Sequence, residues 1–242
     1  GNRLMADPIL IVDDVDLGYG SVQVVFGISL HVDRGELVGL VGGNGSGKST
    51  ILRAISGMIT PWRGRIIFVG EEIRRAEPHE MAARGLAHVP MGRQLFPNMS
   101  VYENLMLGAY LPRAKAQRGR SLERVAALFP DLMAQRDAPA GQLSGGQQQM
   151  VAIARALMLD PKMLIMDEPS IGLSPILVKQ VMAAIRRVAE TGMPILLVEQ
   201  NVKQVLKVSH RTYVLENGRL VLDGPSDELE GHPMIRKAYL GL

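Results

Sequence analysis

Cysteine is absent from the sequence. Disulfides and cysteine-based metal sites are therefore excluded, and a reducing compartment is the natural fit. Aromatic side chains are few, at 4% of 242 residues. Methionine is frequent by comparison, with 14 residues, and reads as flexible core filling. No apolar run reaches the ~18–20 residues that span a bilayer, and no basic-then-apolar leader opens the chain. The chain reads as soluble, with any membrane work done through a partner. Charge is nearly balanced, at +3 net with a pI near 9.3. The densest basic group, Arg113, Lys115, Arg118 and Arg120, has no interleaved aromatic. It is too short for a nucleic-acid stripe and reads as a solvated linker between helices. No nucleic-acid partner is expected.

What is present is an ordinary globular composition, 47% apolar and 21% charged. The length is enough for a substantial core. Residues 1–7 are read as an N-terminal extension and left out of fold reasoning. Short apolar runs alternate with helical patterns, the mark of an α/β architecture with a largely parallel sheet. Strands are expected at 24–32, 36–41, 66–69, 86–89, 163–166, 195–198 and 211–215. Asn217-Gly218 forms a hairpin turn leading into 220–223. Helices are expected at 48–57, 101–109, 121–129, 145–159 and 176–191, the last stopped by Gly192 with Pro194 beyond. Between 101 and 159 the strand signal disappears, which suggests a helical subdomain inserted in the α/β core, from about 92 to 159.

Gly42, Gly43, Asn44, Gly45, Ser46, Gly47, Lys48, Ser49 and Thr50 read G-x-x-x-x-G-K-S-T. A buried strand precedes them and a helix follows. Glycines let the backbone wrap a phosphate, and the N–H groups then point at the anion with help from the helix N-terminus. Lys48 reaches the β/γ-phosphates and the Ser49 hydroxyl can ligate Mg²⁺. The run 163–166 ends in Asp167-Glu168-Pro169. Two carboxylates at a strand's C-terminal end complete a nucleotide site: Asp167 for Mg²⁺, Glu168 to polarise the attacking water. Leu143-Ser144-Gly145-Gly146-Gln147 has Ser144 and Gln147 at capping-box spacing. Two glycines in the first turn leave N–H groups bare, a second anion cradle suited to a γ-phosphate. A single fold has little use for two distant cradles. A head-to-tail dimer, in which Ser144, Gly145, Gly146 and Gln147 close over ATP held by the other subunit, is the economical reading.

With these three motifs in this order, the chain resembles an ABC-transporter ATPase domain over about residues 8–242. The resemblance implies a P-loop NTPase core with a mixed, largely parallel sheet flanked by helices, N-terminal antiparallel strands and the inserted helical subdomain. It implies ATP and Mg²⁺ as ligands and ATP hydrolysis as the activity. It implies that Tyr19 stacks on adenine and that Leu173-Ser174-Pro175 crosses the dimer interface. The segment 91–99 would receive a short helix from a membrane subunit. Finer motifs are Gly92-Arg93-Gln94-Leu95-Phe96-Pro97-Asn98-Met99, residues 167–177, Leu197-Val198-Glu199-Gln200-Asn201 and residues 236–241. These resemble the LivF-type ATPase of branched-chain amino-acid importers. That resemblance implies membrane-spanning permease subunits, a similar sister ATPase in a heterodimer, with a homodimer left open for the isolated chain, and, indirectly, a solute-binding protein. It also implies a cytoplasmic place on the inner face of the cell membrane. ATPases of urea, short-amide or other amino-acid importers, and a non-transport ABC switch, remain alternatives.

Two positions depart from the general pattern. Met91 follows Pro90 where the family carries a glutamine, and a thioether is a poor ligand for a hard cation. Met91 is given no metal role. Gln200 stands where most ABC ATPases carry a histidine that contacts the γ-phosphate. An amide can donate a hydrogen bond there but cannot carry a proton. Gln200 is grouped with Lys48 and Glu168 as catalytic. His31, His79, His88, His210 and His232 are expected to be surface or core residues rather than a metal site.

Overall fold

A computed structural model describes residues 8–73 and 75–237. Residues 1–7 and the 238–241 part of the C-terminal motif lie outside the described residues. The strands are β1 (Pro8–Tyr19), β2 (Val22–Asp33), β3 (Leu37–Val41), β4 (Arg63–Phe68), β5 (Glu71–Glu72), β6 (Leu86–Val89), β7 (Met163–Asp167), β8 (Ile195–Glu199), β9 (Arg211–Glu216) and β10 (Arg219–Pro225). The helices are α1 (Lys48–Ile55), α2 (Pro78–Arg84), α3 (Val101–Gly108), α4 (Pro112–Ala116), α5 (Arg118–Leu128), α6 (Pro130–Ala134), α7 (Gly145–Leu157), α8 (Pro175–Glu190), α9 (Val202–Val208), α10 (Ser226–Glu230) and α11 (Pro233–Ile235).

Two sheets organise the chain. A six-stranded sheet has the order β10-β9-β3-β8-β7-β6, and a four-stranded sheet has the order β2-β1-β4-β5. In the larger sheet β9, β3, β8, β7 and β6 run parallel and only the edge strand β10 is antiparallel. The central strands β3, β7 and β8 are buried at every residue. Their continuous apolar runs are what a sheet covered on both faces requires.

Alternate residues of these strands feed two cores. Leu164, Met166, Ile195 and Leu197 face one cluster with α7 and α8, while Met163, Ile165, Leu196 and Val198 face the other with α1 and the antiparallel sheet. Between β6 and β7 every regular element is helical.

Strand β1 has no clean alternation in the sequence, for a physical reason. Asp14 has φ of +48° and the pairing with β2 shifts register between Val12 and Val15. This bulge moves the inward residues from Leu10 and Val12 to Val15 and Leu17. Asp14 and Asp16 point outward, both bound by Arg63 at 2.7 Å.

The basic group at 113–120 is a correction. It does not form a linker: Arg113 and Lys115 lie in α4, and Arg118 and Arg120 in α5. Arg113 donates to the carbonyls of Asp160 (3.0 Å) and Ala82 (2.9 Å), so it fastens α4 to α2 and to the turn after α7. No helix among the described residues is long and apolar enough to cross a membrane.

Candidate functional site

The parallel strands deliver four loops to one edge of the sheet. The registers Val41 with Glu199, Asp167 with Val198 and Val89 with Met166 bring the carboxyl ends of β3, β8, β7 and β6 level. Open α/β sheets bind ligands at that edge, because the chain leaves the sheet there with free backbone groups.

After β3 the chain turns through Gly42–Gly47 into α1. Gly42 has no room for a side chain: an added Cβ would lie 2.2 Å from the Leu215 carbonyl oxygen. Gly47 has φ of +106°, a backbone that only glycine adopts freely, and it is the N-cap of α1. This helix start has no side-chain cap and no acidic residue in its first turn. Its N–H groups therefore have no competing side-chain acceptor, the condition for anion binding. The turn at Asn217-Gly218 braces the loop, as the Gly218 N–H donates to the Ser46 carbonyl at 3.0 Å.

Lys48 is buried. Its Nζ donates to the carbonyls of Gly42 and Gly43, both at 2.9 Å, and lies 3.3 Å from Glu168 Oε1. Ser49 Oγ donates to Asp167 Oδ1 at 3.1 Å. The acidic pair from β7 thus meets the loop after β3 side by side. Burial pushes the Asp167 carboxyl above the usual range, opposed by the Ser49 hydrogen bond and reinforced by Glu168. A cavity of about 300 Å³ opens here, with Asn44, Gly47, Lys48, Ser49, Met91 and Glu168 among its walls. Met91, half exposed, borders this cavity.

Asp167 stands behind that cavity's wall, bonded to Ser49, and three further groups lie outside it. Tyr19 is exposed above α1. Its hydroxyl donates to Thr50 Oγ1 at 3.4 Å and accepts from Arg53 Nη1 at 3.0 Å, with the guanidinium 6.0 Å from the ring centroid. Gln200 is exposed at the end of β8 and is tied by its N–H to Glu199 Oε2 at 3.3 Å. Ser144 and Gln147 close a reciprocal capping box at the start of α7, with bonds of 3.3 and 3.0 Å. They border a cavity of about 650 Å³ that shares no residue with the P-loop cavity. Leu173 and Leu177 pack against Gly145 and Gly146, where a Cβ would approach them to 3.0 and 2.9 Å.

The sequence reading did not single out Glu199. It is 2% exposed, and its Oε1 accepts the Ser170 N–H at 2.8 Å. The available signal was a carboxylate ending an apolar strand, directly before Gln200. A third cavity, of about 360 Å³, separates the sheet from the helical insert. Met58, His88, Phe96, Tyr110 and Arg155 are among its walls. Burial pushes the His88 imidazole down to about 4, helped by the positive charge of Arg53. Its Nε2 is buried without a partner. Among the described residues no cluster of three histidine or acidic side chains suits a metal ion.

Residues 25–171 match the family model described as ABC transporter. The chain is 41% identical to the high-affinity branched-chain amino acid transport ATP-binding protein BraG of Pseudomonas aeruginosa, across 96% of this chain and 100% of that one. It is 34% identical to the probable branched-chain amino acid transport ATP-binding protein LivF of Archaeoglobus fulgidus, across 94% and 97%. Among solved structures it superposes on the ADP conformation of an ATP-binding cassette of an ABC transporter. That match has a TM-score of 0.84 at 28% identity, covering 97% of this chain and 99% of the other.

Proposed function

The chain belongs to the ABC transporter family of ATP-binding, ATP-hydrolysing subunits, and on that premise we propose that it energises the uptake of branched-chain amino acids. The observation that supports this best is the meeting of Lys48, Ser49 and Glu168 at one cavity, with Asp167 bonded to Ser49 behind its wall, in a chain similar end to end to ATPases of that transport class.

In this reading the bare N–H groups of the 42–50 loop and the Lys48 ammonium hold the phosphates, and Tyr19 offers its exposed ring to the adenine. Ser49 Oγ and Asp167 Oδ1 are neighbouring oxygen donors, the set a hard Mg²⁺ prefers. Bound there, the ion supplies charge neutralisation for the phosphoryl group. Glu168 orients and polarises the attacking water, and Gln200 donates its amide to the γ-phosphate. Glu168 and Lys48 already form an ion pair, so phosphate arriving at Lys48 competes with the carboxylate and frees it to face the water.

Ser144 and Gln147 front a different cavity from Lys48. A partner ATPase arranged head to tail supplies the missing cradle, so ATP favours the closed pair and hydrolysis reopens it. The sister chain of an importer with two ATPases fits that role. The groove between sheet and helical insert exposes Met58 (52%), Phe96 (53%) and Tyr110 (53%). Such an apolar opening suits a short helix of a permease subunit. The chain would then work on the cytoplasmic side of the membrane, with a solute-binding protein on the other.

A mild-detergent pull-down of the tagged chain from native membranes, with the bound proteins identified by mass, tests the assignment. Two different membrane subunits and a second, similar ATPase are expected. Recovery of a permease for another solute class would overturn the branched-chain assignment, and recovery of no membrane subunit would overturn transport.

A further inference from the structure

Glu168 stands at an awkward point of the chain. Its φ is +45°, a left-handed backbone that a non-glycine residue adopts at a cost. Its own N–H is the last to bond across to β8, donating to the Val198 carbonyl at 2.9 Å. Pro169 has no N–H to offer. The next amide, Ser170, is buried and has run past the sheet, so it needs an acceptor that the ladder does not provide. The side chain of Glu199 is that acceptor. Oε1 takes the Ser170 N–H at 2.8 Å and Oε2 takes the Gln200 N–H at 3.3 Å.

One carboxylate therefore ties the loop leaving β7 to the loop leaving β8. Among the described residues Glu199 makes no salt bridge, and it is 2% exposed. Burial pushes its carboxyl upward against the pull of the Ser170 bonds, and the charge of Glu168 adds to the rise. A buried acid with no cation beside it, held by the side chain and amide of Ser170 and the amide of Gln200, is costly unless those groups need holding. We infer that Glu199 is a positioning residue for hydrolysis: it fixes the strained Glu168-Pro169-Ser170 turn and the start of the Gln200 loop at one height, so that the water-polarising carboxylate and the amide face the same phosphate. This rests on the role given above to Glu168.

Steady-state ATP turnover and nucleotide affinity of Glu199→Ala and Glu199→Gln, alone and combined with Glu168→Gln, test the inference. Glu199→Ala should lower kcat by about 10- to 100-fold while KM for ATP and the affinity for a fluorescent ATP analogue change less than about threefold, since the loss falls on the chemical step. Glu199→Gln keeps an oxygen for Ser170 but turns an NH₂ toward the Gln200 N–H, so its kcat should lie between alanine and parent, with folding intact. In the Glu168→Gln background, single-turnover hydrolysis should be unchanged by adding Glu199→Ala, because the residue acts through Glu168. Parent-like kcat in both Glu199 variants would overturn the inference. So would an equal proportional loss in the Glu168→Gln background, which marks a general structural defect. Parent-like turnover by Glu168→Gln alone would instead remove the role of Glu168, and the positioning role with it.

Discussion

His88 gives the fold a measurable acid sensitivity. Its imidazole is partly buried on β6 beside the groove, Nε2 has no partner, and burial with the nearby charge of Arg53 holds it at about 4 against an ordinary 6.5. The folded state therefore refuses a proton that the unfolded chain accepts. For a depressed value of this kind the contribution to stability is whole above about pH 6.5 and is lost as pH falls toward 4. Linkage between 6.5 and about 4 gives a loss of about 1 kcal/mol by pH 6, about 2 by pH 5 and about 3 by pH 4. Asp167 and Glu199 act in the opposite sense: burial raises both, so the folded state takes up protons more readily as pH falls.

Comparison of the parent with His88→Leu cancels those terms and isolates the imidazole. Leucine also removes the unpartnered nitrogen, a relief of about 1–3 kcal/mol that offsets any misfit of shape near pH 7. In urea denaturation followed by circular dichroism, the stability of the variant relative to parent should improve by about 2 kcal/mol between pH 7 and pH 5. A difference that stays constant over that range would refute the reasoning, and would mean that the folded protein accepts the proton at His88.

Glu168→Gln should bind ATP as the parent does but lose about 10²- to 10⁴-fold in kcat, the usual worth of a positioned acid or base; steady-state phosphate release measures it. Mg-ATP at about 100 times its Kd should stabilise the parent by about 2.7 kcal/mol, or roughly 5–10 °C in Tm, and Lys48→Ala should abolish that shift in a thermal melt. Tyr19→Ala should raise KM for ATP by about tenfold through loss of the stacking ring, while Tyr19→Phe, which gives up only the bonds to Arg53 and Thr50, should change it less than about threefold.

What could be read from the sequence was local. The Lys48 loop, the Asp167-Glu168 pair and the Ser144/Gln147 box each lie within nine consecutive residues. Glycine freedom, strand-end placement and helix capping act over that distance, so the letters alone state the chemistry. The continuous apolar runs of β7 and β8 were legible as strands for the same reason. The basic group at 113–120 was misread as a linker because its clearest tertiary bonds, Arg113 to Asp160 and Ala82, reach distant carbonyls. Strand β1 lacked a period because the bulge at Asp14 interrupts its alternation.

The rest is a matter of register across the sheet. Lys48 reaches Glu168, and Ser49 reaches Asp167, only because β3, β8 and β7 are stacked in parallel with their ends level. Glu199 looks like any strand-terminal acid until that register sets it under the Ser170 amide. The sequence alone determined which groups can hold a phosphate and a cation, since those are properties of short stretches of chain. The tertiary structure alone decided which of them touch, because contacts between residues more than a hundred positions apart depend on strand order and pairing, which no local pattern encodes.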